Sequence, residues 1–150
     1  MNQLINYDEK NRVFHLHNDQ ISYLLAVEDG KTLAHLYFGK AIKNYHGQLR
    51  YPRVDRGFSG NLPGSLDRTF SRDSLPKEYS SAGEMDYHTP ASVIRQSEGS
   101  NALFLTYEGY KIVDGKPDLE GLPHSFVESK DEAQTLIVTL IDEKSKVKFE

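Results

Sequence analysis

The sequence predicts an all-β protein, an antiparallel β-sandwich broken by one long irregular excursion. Three observations carry this. Apolar residues alternate over short runs flanked by turn residues, the period of a half-buried strand. The first part shows no helix of convincing length. From Gly39 to about Ser92 the alternation stops and turn residues take over, while aromatic rings persist.

The elements follow in order. Val13-Phe14-His15-Leu16 reads as a short strand. Ile21 to Val27 is the next, with Ile21, Tyr23, Leu25 and Val27 on one face. Asp29-Gly30 is a turn signal and Thr32 to Phe38 a third strand, giving an antiparallel meander. The excursion is rich in Asn, Gly and Pro, but Tyr45, Tyr51, Phe58, Phe70, Leu75, Tyr79 and Tyr87 punctuate it. Such side chains need a surface, so the excursion is expected to be ordered and functional. Strands resume at Val93-Ile94-Arg95, Ala102 to Tyr107 and Tyr110 to Val113. Asp114-Gly115-Lys116-Pro117 is a turn, and Gln134 to Ile141 is the strongest strand of the chain. Lys146 to Phe149 begins another strand in which the sequence stops. A strand edge left there has unpaired N–H and C=O groups. The expectation is therefore an incomplete domain, either part of a longer protein or one whose edge a partner covers.

Composition narrows the class. At 150 residues, 37% hydrophobic and 27% charged, the chain has the makings of one domain with a real core. No apolar run approaches the roughly 18 residues of a membrane span, and no basic-then-apolar leader opens the chain. The net charge of −4 argues against a general binder of nucleic acid or anionic membrane, although a local basic patch stays open. The absence of cysteine excludes disulfides and thiolate metal sites, and it fits the reducing cytoplasm expected as the location.

Arginine is unevenly placed. Five of the seven, Arg50, Arg53, Arg56, Arg68 and Arg72, fall in one stretch of the excursion, interleaved with Asp55, Asp67, Asp73 and Glu78. A salt-bridge network that stiffens the loop accounts for most of them. A minority facing outward would suit a polar ligand such as a sugar, because the guanidinium fork matches carboxylates and vicinal hydroxyls. Tyr45, Tyr51, Phe58 and Tyr79 would then supply the aromatic platform in a chain without tryptophan.

Other chemistry is weaker. His15 and His17 share a strand face, but no His-x3-His or His-Glu-x-x-His spacing occurs, so no metal site is assigned. Asp55 with Asp67, or Glu84 with Asp86, are conceivable hydrolytic pairs whose spacing does not distinguish them. Ser59 in Gly57-Phe58-Ser59-Gly60-Asn61 lacks the Gly-x-Ser-x-Gly pattern of a nucleophile elbow.

Several runs together resemble a known family. They are Arg53-Val54-Asp55-Arg56-Gly57-Phe58-Ser59-Gly60-Asn61 and Asp67-Arg68-Thr69-Phe70-Ser71-Arg72-Asp73-Ser74-Leu75-Pro76-Lys77-Glu78-Tyr79 in the excursion. Gly115-Lys116-Pro117-Asp118-Leu119-Glu120-Gly121-Leu122-Pro123, Glu132 to Leu136 and Leu33 to Lys40 add to them. In order and spacing they look like the N-terminal domain of glycoside hydrolase family 36 α-galactosidases, over nearly the whole chain.

The resemblance implies that this sandwich is part of an N-terminal β-supersandwich preceding a (β/α)8 barrel and a small C-terminal β-domain. The full-length enzyme would hydrolyse terminal α-galactosides such as melibiose and raffinose with retention, through two barrel aspartates. The N-terminal domain would take part in assembling a homo-oligomer, in many members a tetramer. One of its loops would reach the galactoside at a neighbouring subunit's active site. Asp55 and Arg68 match that loop's polar contacts and are the substrate-binding candidates.

A barrel alone takes about 250 residues. This chain lacks one, so no residue is assigned a catalytic role, and no cofactor is expected. The chain departs from the family pattern at Gly60 and Ser80, where proline is usual, at Arg72, usually leucine, and at His88, usually arginine. Loss of the two prolines is expected to loosen the loop. The alternative reading is a free-standing carbohydrate-binding or protein-interaction module that uses the Arg/Asp/Tyr loop directly.

Overall fold

The computed structural model describes residues 3–29, 31–47, 49–55, 61, 64–84 and 86–150. Its seven strands among these are β1 (Ile5–Asp8), β2 (Val13–His17), β3 (Ile21–Glu28), β4 (Thr32–Lys40), β5 (Leu105–Asp114), β6 (Gln134–Asp142) and β7 (Lys148–Phe149). They form two antiparallel sheets, β1-β2-β3-β4 and β5-β6-β7.

Strand β3 governs the layout because both of its faces are buried. Leu25 and Val27 point to the sandwich interior with Tyr23 beside them, as the alternation predicts. Leu24 and Ala26 point the other way and are equally buried, packed with Val13, Leu36, Tyr37, Ile42 and Tyr45. A strand apolar on both faces needs cover on both. The second sheet supplies one layer and the excursion the other. A bulge in β4 assists: Leu24 pairs with Tyr37 and Leu25 with His35, so Leu36 is the extra residue. Leu36 and Tyr37 then both pack on the excursion side.

Between the sheets, Phe14, Leu25, Val27 and Leu33 meet Leu103, Leu105 and Leu140. The Phe14 ring stacks on Tyr7 at 4.5 Å and meets Tyr110 edge-on at 4.9 Å, joining the two layers. Hydrogen bonds at two places reinforce the joint. The Gln134 side-chain oxygen accepts from the amides of Leu4 and Ile5, and Tyr107 N–H donates to Lys31 C=O at 2.6 Å.

The four-stranded meander extends the predicted three. β1 escaped the sequence reading because only Ile5 and Tyr7 alternate in four residues. The predicted strands Ala102–Tyr107 and Tyr110–Val113 are one strand, β5, carried across a bulge at Glu108 by Gly109. The expected strand Val93-Ile94-Arg95 is absent. Ser92 makes a single bridge to Ser81, and Ile94 serves as a loop residue packed on the core. Only Lys148 and Phe149 of the last expected strand pair, because Asp142 caps the preceding turn through Lys144 N–H and Ser145 Oγ.

Phe14 is fully buried and touches both layers. Phe14→Ala is expected to destabilise the domain by about 3–5 kcal/mol. Denaturant unfolding of the variant measures this.

Candidate functional site

The excursion begins to acquire order at β4. Pro76 C=O accepts from His35 N–H at 2.7 Å, and Glu78 N–H donates to Leu33 C=O at 3.0 Å. This lays residues 76–78 along the β4 edge as a short extra strand, with Lys77 opposite Ala34. The Lys77 side chain is buried, and its ammonium ion-pairs with Glu84 and, at 2.8 Å, with Asp86. Arg72 stands 3.5 Å from Glu84 and lies over the Phe104 ring, 4.2 Å from its centroid. Glu84 also accepts from Ser81 Oγ at 2.8 Å and from Leu105 N–H at 3.3 Å. Asp86 accepts from Ser80 Oγ at 3.0 Å and has His88 Nδ1 at 3.4 Å. Gly83, at φ +87°, permits the close approach, since a Cβ there would sit 2.6 Å from that of Ala102.

Two cations and two anions are thereby buried as one clasp. Burial lowers the Arg72 pKa. Burial alone would raise the Asp86 carboxyl, but the Lys77 and Ser80 contacts outweigh it and hold its pKa below the usual value.

Nearer the surface a second set of charges lies over Phe70. Tyr51, Phe70 and Leu75 pack on Ala34 in a small core, and Tyr51 Oη donates to Ser71 C=O. Arg53 lies over the Phe70 ring at 5.3 Å. Its guanidinium reaches Asp29 at 2.7 Å, Asp67 at 2.9 Å and the buried Glu28 at 3.5 Å. Arg50 reaches Glu28 separately at 3.4 Å. Asp67 accepts in addition from Thr69 N–H and Oγ1, and these bonds hold its pKa below the usual value.

The two substrate-binding candidates lie just beyond this layer and meet each other. Arg68 Nε is 3.2 Å from Asp55 Oδ1, and their side chains are 70% and 57% exposed. Both therefore face solvent. The Arg56-Gly57-Phe58-Ser59-Gly60 run, and Gly30 of the predicted turn, lie outside the described residues.

The remaining predicted groups are engaged structurally. Asp67 is held by Arg53, and Glu84 with Asp86 by Lys77, so neither conceivable hydrolytic pair stands as a free acid and nucleophile. Asp73 bonds Ser71, and Glu78 bonds Tyr23. Tyr23 is driven up by burial and by that carboxylate. Of the expected platform rings, Tyr51 is buried under the loop and Tyr79 packs on Phe149, so neither offers an open face. His15 bonds Ser22 and His17 bonds Asn6. Among the described residues no group of three His, Cys, Asp or Glu side chains could hold a metal ion, and no helix is long and apolar enough to cross a membrane. A groove of about 650 Å³ bordered by Leu16, Ile21, Tyr23 and Phe38 is mostly apolar, which suits sugar hydroxyls poorly.

The sequence reading missed the clasp. Glu84 and Asp86 were legible as a carboxylate pair, but their partners Arg72 and Lys77 lie across a turn and read as ordinary loop charges.

The fold and site together define an all-β sandwich domain that presents its charged groups on an ordered loop. Residues 31–150 match the model of the glycosyl hydrolase family 36 N-terminal domain, and the chain belongs to that family. It is 72% identical over 147 residues to α-galactosidase Mel36A of Lactobacillus acidophilus, covering 98% of this chain and 20% of that protein. The structure of α-galactosidase AgaB of Geobacillus stearothermophilus superposes with a TM-score of 0.82 at 39% identity, over 93% of this chain and 19% of that one. A variant of AgaA from the same organism, solved with raffinose, superposes with a TM-score of 0.78 at 42% identity, over 87% of this chain and 18% of that one. The predicted all-β antiparallel sandwich is thus the fold shared with these enzymes. The chain spans about a fifth of the length of the curated relatives it matches.

Removing Lys77 would leave Glu84 and Asp86 buried with too little counter-charge. Lys77→Met is expected to cost about 3–5 kcal/mol, read from the unfolding midpoint. For Asp86, whose folded pKa is depressed, the contribution is complete above the unfolded value of about 3.8 and is lost as pH falls through the lower folded value. Unfolding midpoints measured from pH 6 downward should therefore fall less steeply in acid for Asp86→Asn than for the parent.

Proposed function

We propose that this domain is a non-catalytic N-terminal part of an α-galactosidase acting in the cytoplasm. It helps assemble a homo-oligomer, a tetramer in the full-length protein, and lends Asp55 and Arg68 to the galactoside site of a neighbouring subunit. Hydrolysis of terminal α-galactosides such as melibiose and raffinose is the work of a (β/α)8 barrel elsewhere in the full-length enzyme. The observation that carries the reading is the exposed Asp55–Arg68 pair in a chain of this family. The raffinose complex of a similar enzyme supports the substrate class. A carboxylate and a guanidinium side by side offer both acceptors and donors to vicinal hydroxyls.

Asp55→Ala and Arg68→Ala in the full-length enzyme are expected to lower kcat/KM for raffinose. If each side chain gives the substrate one charged hydrogen bond, the loss is about 1–3 kcal/mol of transition-state stabilisation. The melting temperature should stay near the parent value, because an exposed pair contributes little to stability. Unchanged kcat/KM in both variants overturns the substrate role.

A further inference from the structure

We propose that Arg53 is a positioning residue for the Asp55–Arg68 pair, an inference that rests on the reading above. An exposed ion pair does not fix its own geometry. The orientation of Asp55 and Arg68 must come from below, and Arg53 sits where it can supply it. On the outgoing limb of the loop, Asp55 lies two residues beyond Arg53. On the returning limb, Arg68 follows Asp67. Arg53 Nη1 holds Asp67 at 2.9 Å and Nη2 holds Asp29 at 2.7 Å, so one guanidinium ties both limbs to the end of β3. The fork does this with separate nitrogens while its plane rests on Phe70. Asp67 is fixed in turn, since its other oxygen accepts from Thr69 N–H and Oγ1. The turn from which Arg68 projects is thereby set.

The fold does not depend on this contact. Arg50 independently faces Glu28, so the buried carboxylate keeps a counter-ion when Arg53 is changed. A change at Arg53 should therefore be felt at the exposed pair before it is felt in stability.

The test is a double-mutant cycle in the full-length enzyme, with raffinose kinetics and melting temperature as readouts. Arg53→Met is expected to lower kcat/KM about tenfold, mainly through KM, with the melting temperature close to that of the parent. Arg53→Lys, which keeps the charge and loses the fork, should not restore it. In an Asp55→Ala/Arg68→Ala background Arg53→Met should have no further effect, the signature of action through that pair. Should Arg53→Met fail to fold, Asp67→Asn loosens the same contact from the exposed side and goes through the same cycle. Parent-like kcat/KM in Arg53→Met, full rescue by Arg53→Lys, or an equal loss with and without the pair each overturns the positioning role. If Asp55→Ala and Arg68→Ala are themselves silent, the substrate role fails first, and any effect left at Arg53 is structural.

Discussion

The structure depends on one buried ionic clasp. Lys77 sits on a segment hydrogen-bonded to the edge of β4, and Glu84 accepts from the first amide of β5. Their ion pair therefore spans the edges of both sheets. Buried charges are costly to desolvate, and they persist only when geometry and hydrogen bonding are nearly complete. Here Arg72 adds a second cation beside Glu84, and Ser80, Ser81 and the Leu105 amide take up further lone pairs. The clasp is a poor source of net stability and a strict source of register. A placement of the excursion that parted Lys77 from Glu84 and Asp86 would leave buried charge unpaired.

From that anchor, charge and exposure form a gradient along the excursion. The clasp is buried, Arg53 and Asp67 are half-exposed, and Asp55 with Arg68 face solvent. Apolar packing runs in parallel, with Phe70 and Leu75 buried on Ala34 beneath the charged layer. This arrangement lets an irregular loop hold polar side chains in the open without regular secondary structure.

Much of the fold was legible because it is written in alternation. β3 announces itself with Tyr23, Leu25 and Val27, and β6 with an unbroken β-rich run. Features set by tertiary context were not legible. The bulge at Glu108 split one strand into two apparent ones, and Ile94, β-like in sequence, is spent on the core from a loop. The clustering of arginines marked the segment in which the ion pairs gather, and the family resemblance named Asp55 and Arg68 within it. Which arginine faces which carboxylate was beyond reach, since Arg53 finds Asp29 across 24 residues and Arg72 finds Glu84 around a turn. Pairing of this kind is decided by packing, and local patterns do not encode it.

Arg72, Ser80 and His88 all meet the clasp. Arg72 stands 3.5 Å from Glu84, and His88 Nδ1 is 3.4 Å from Asp86. With two buried anions to balance, an unmatched charge in this environment costs far more than a matched one gains. Ser80 adds to the same network by donating a hydrogen bond to Asp86. The centre of the network, Lys77 between two carboxylates, links the segment on the β4 edge to the start of β5, so a charge lost there would be felt at both sheets.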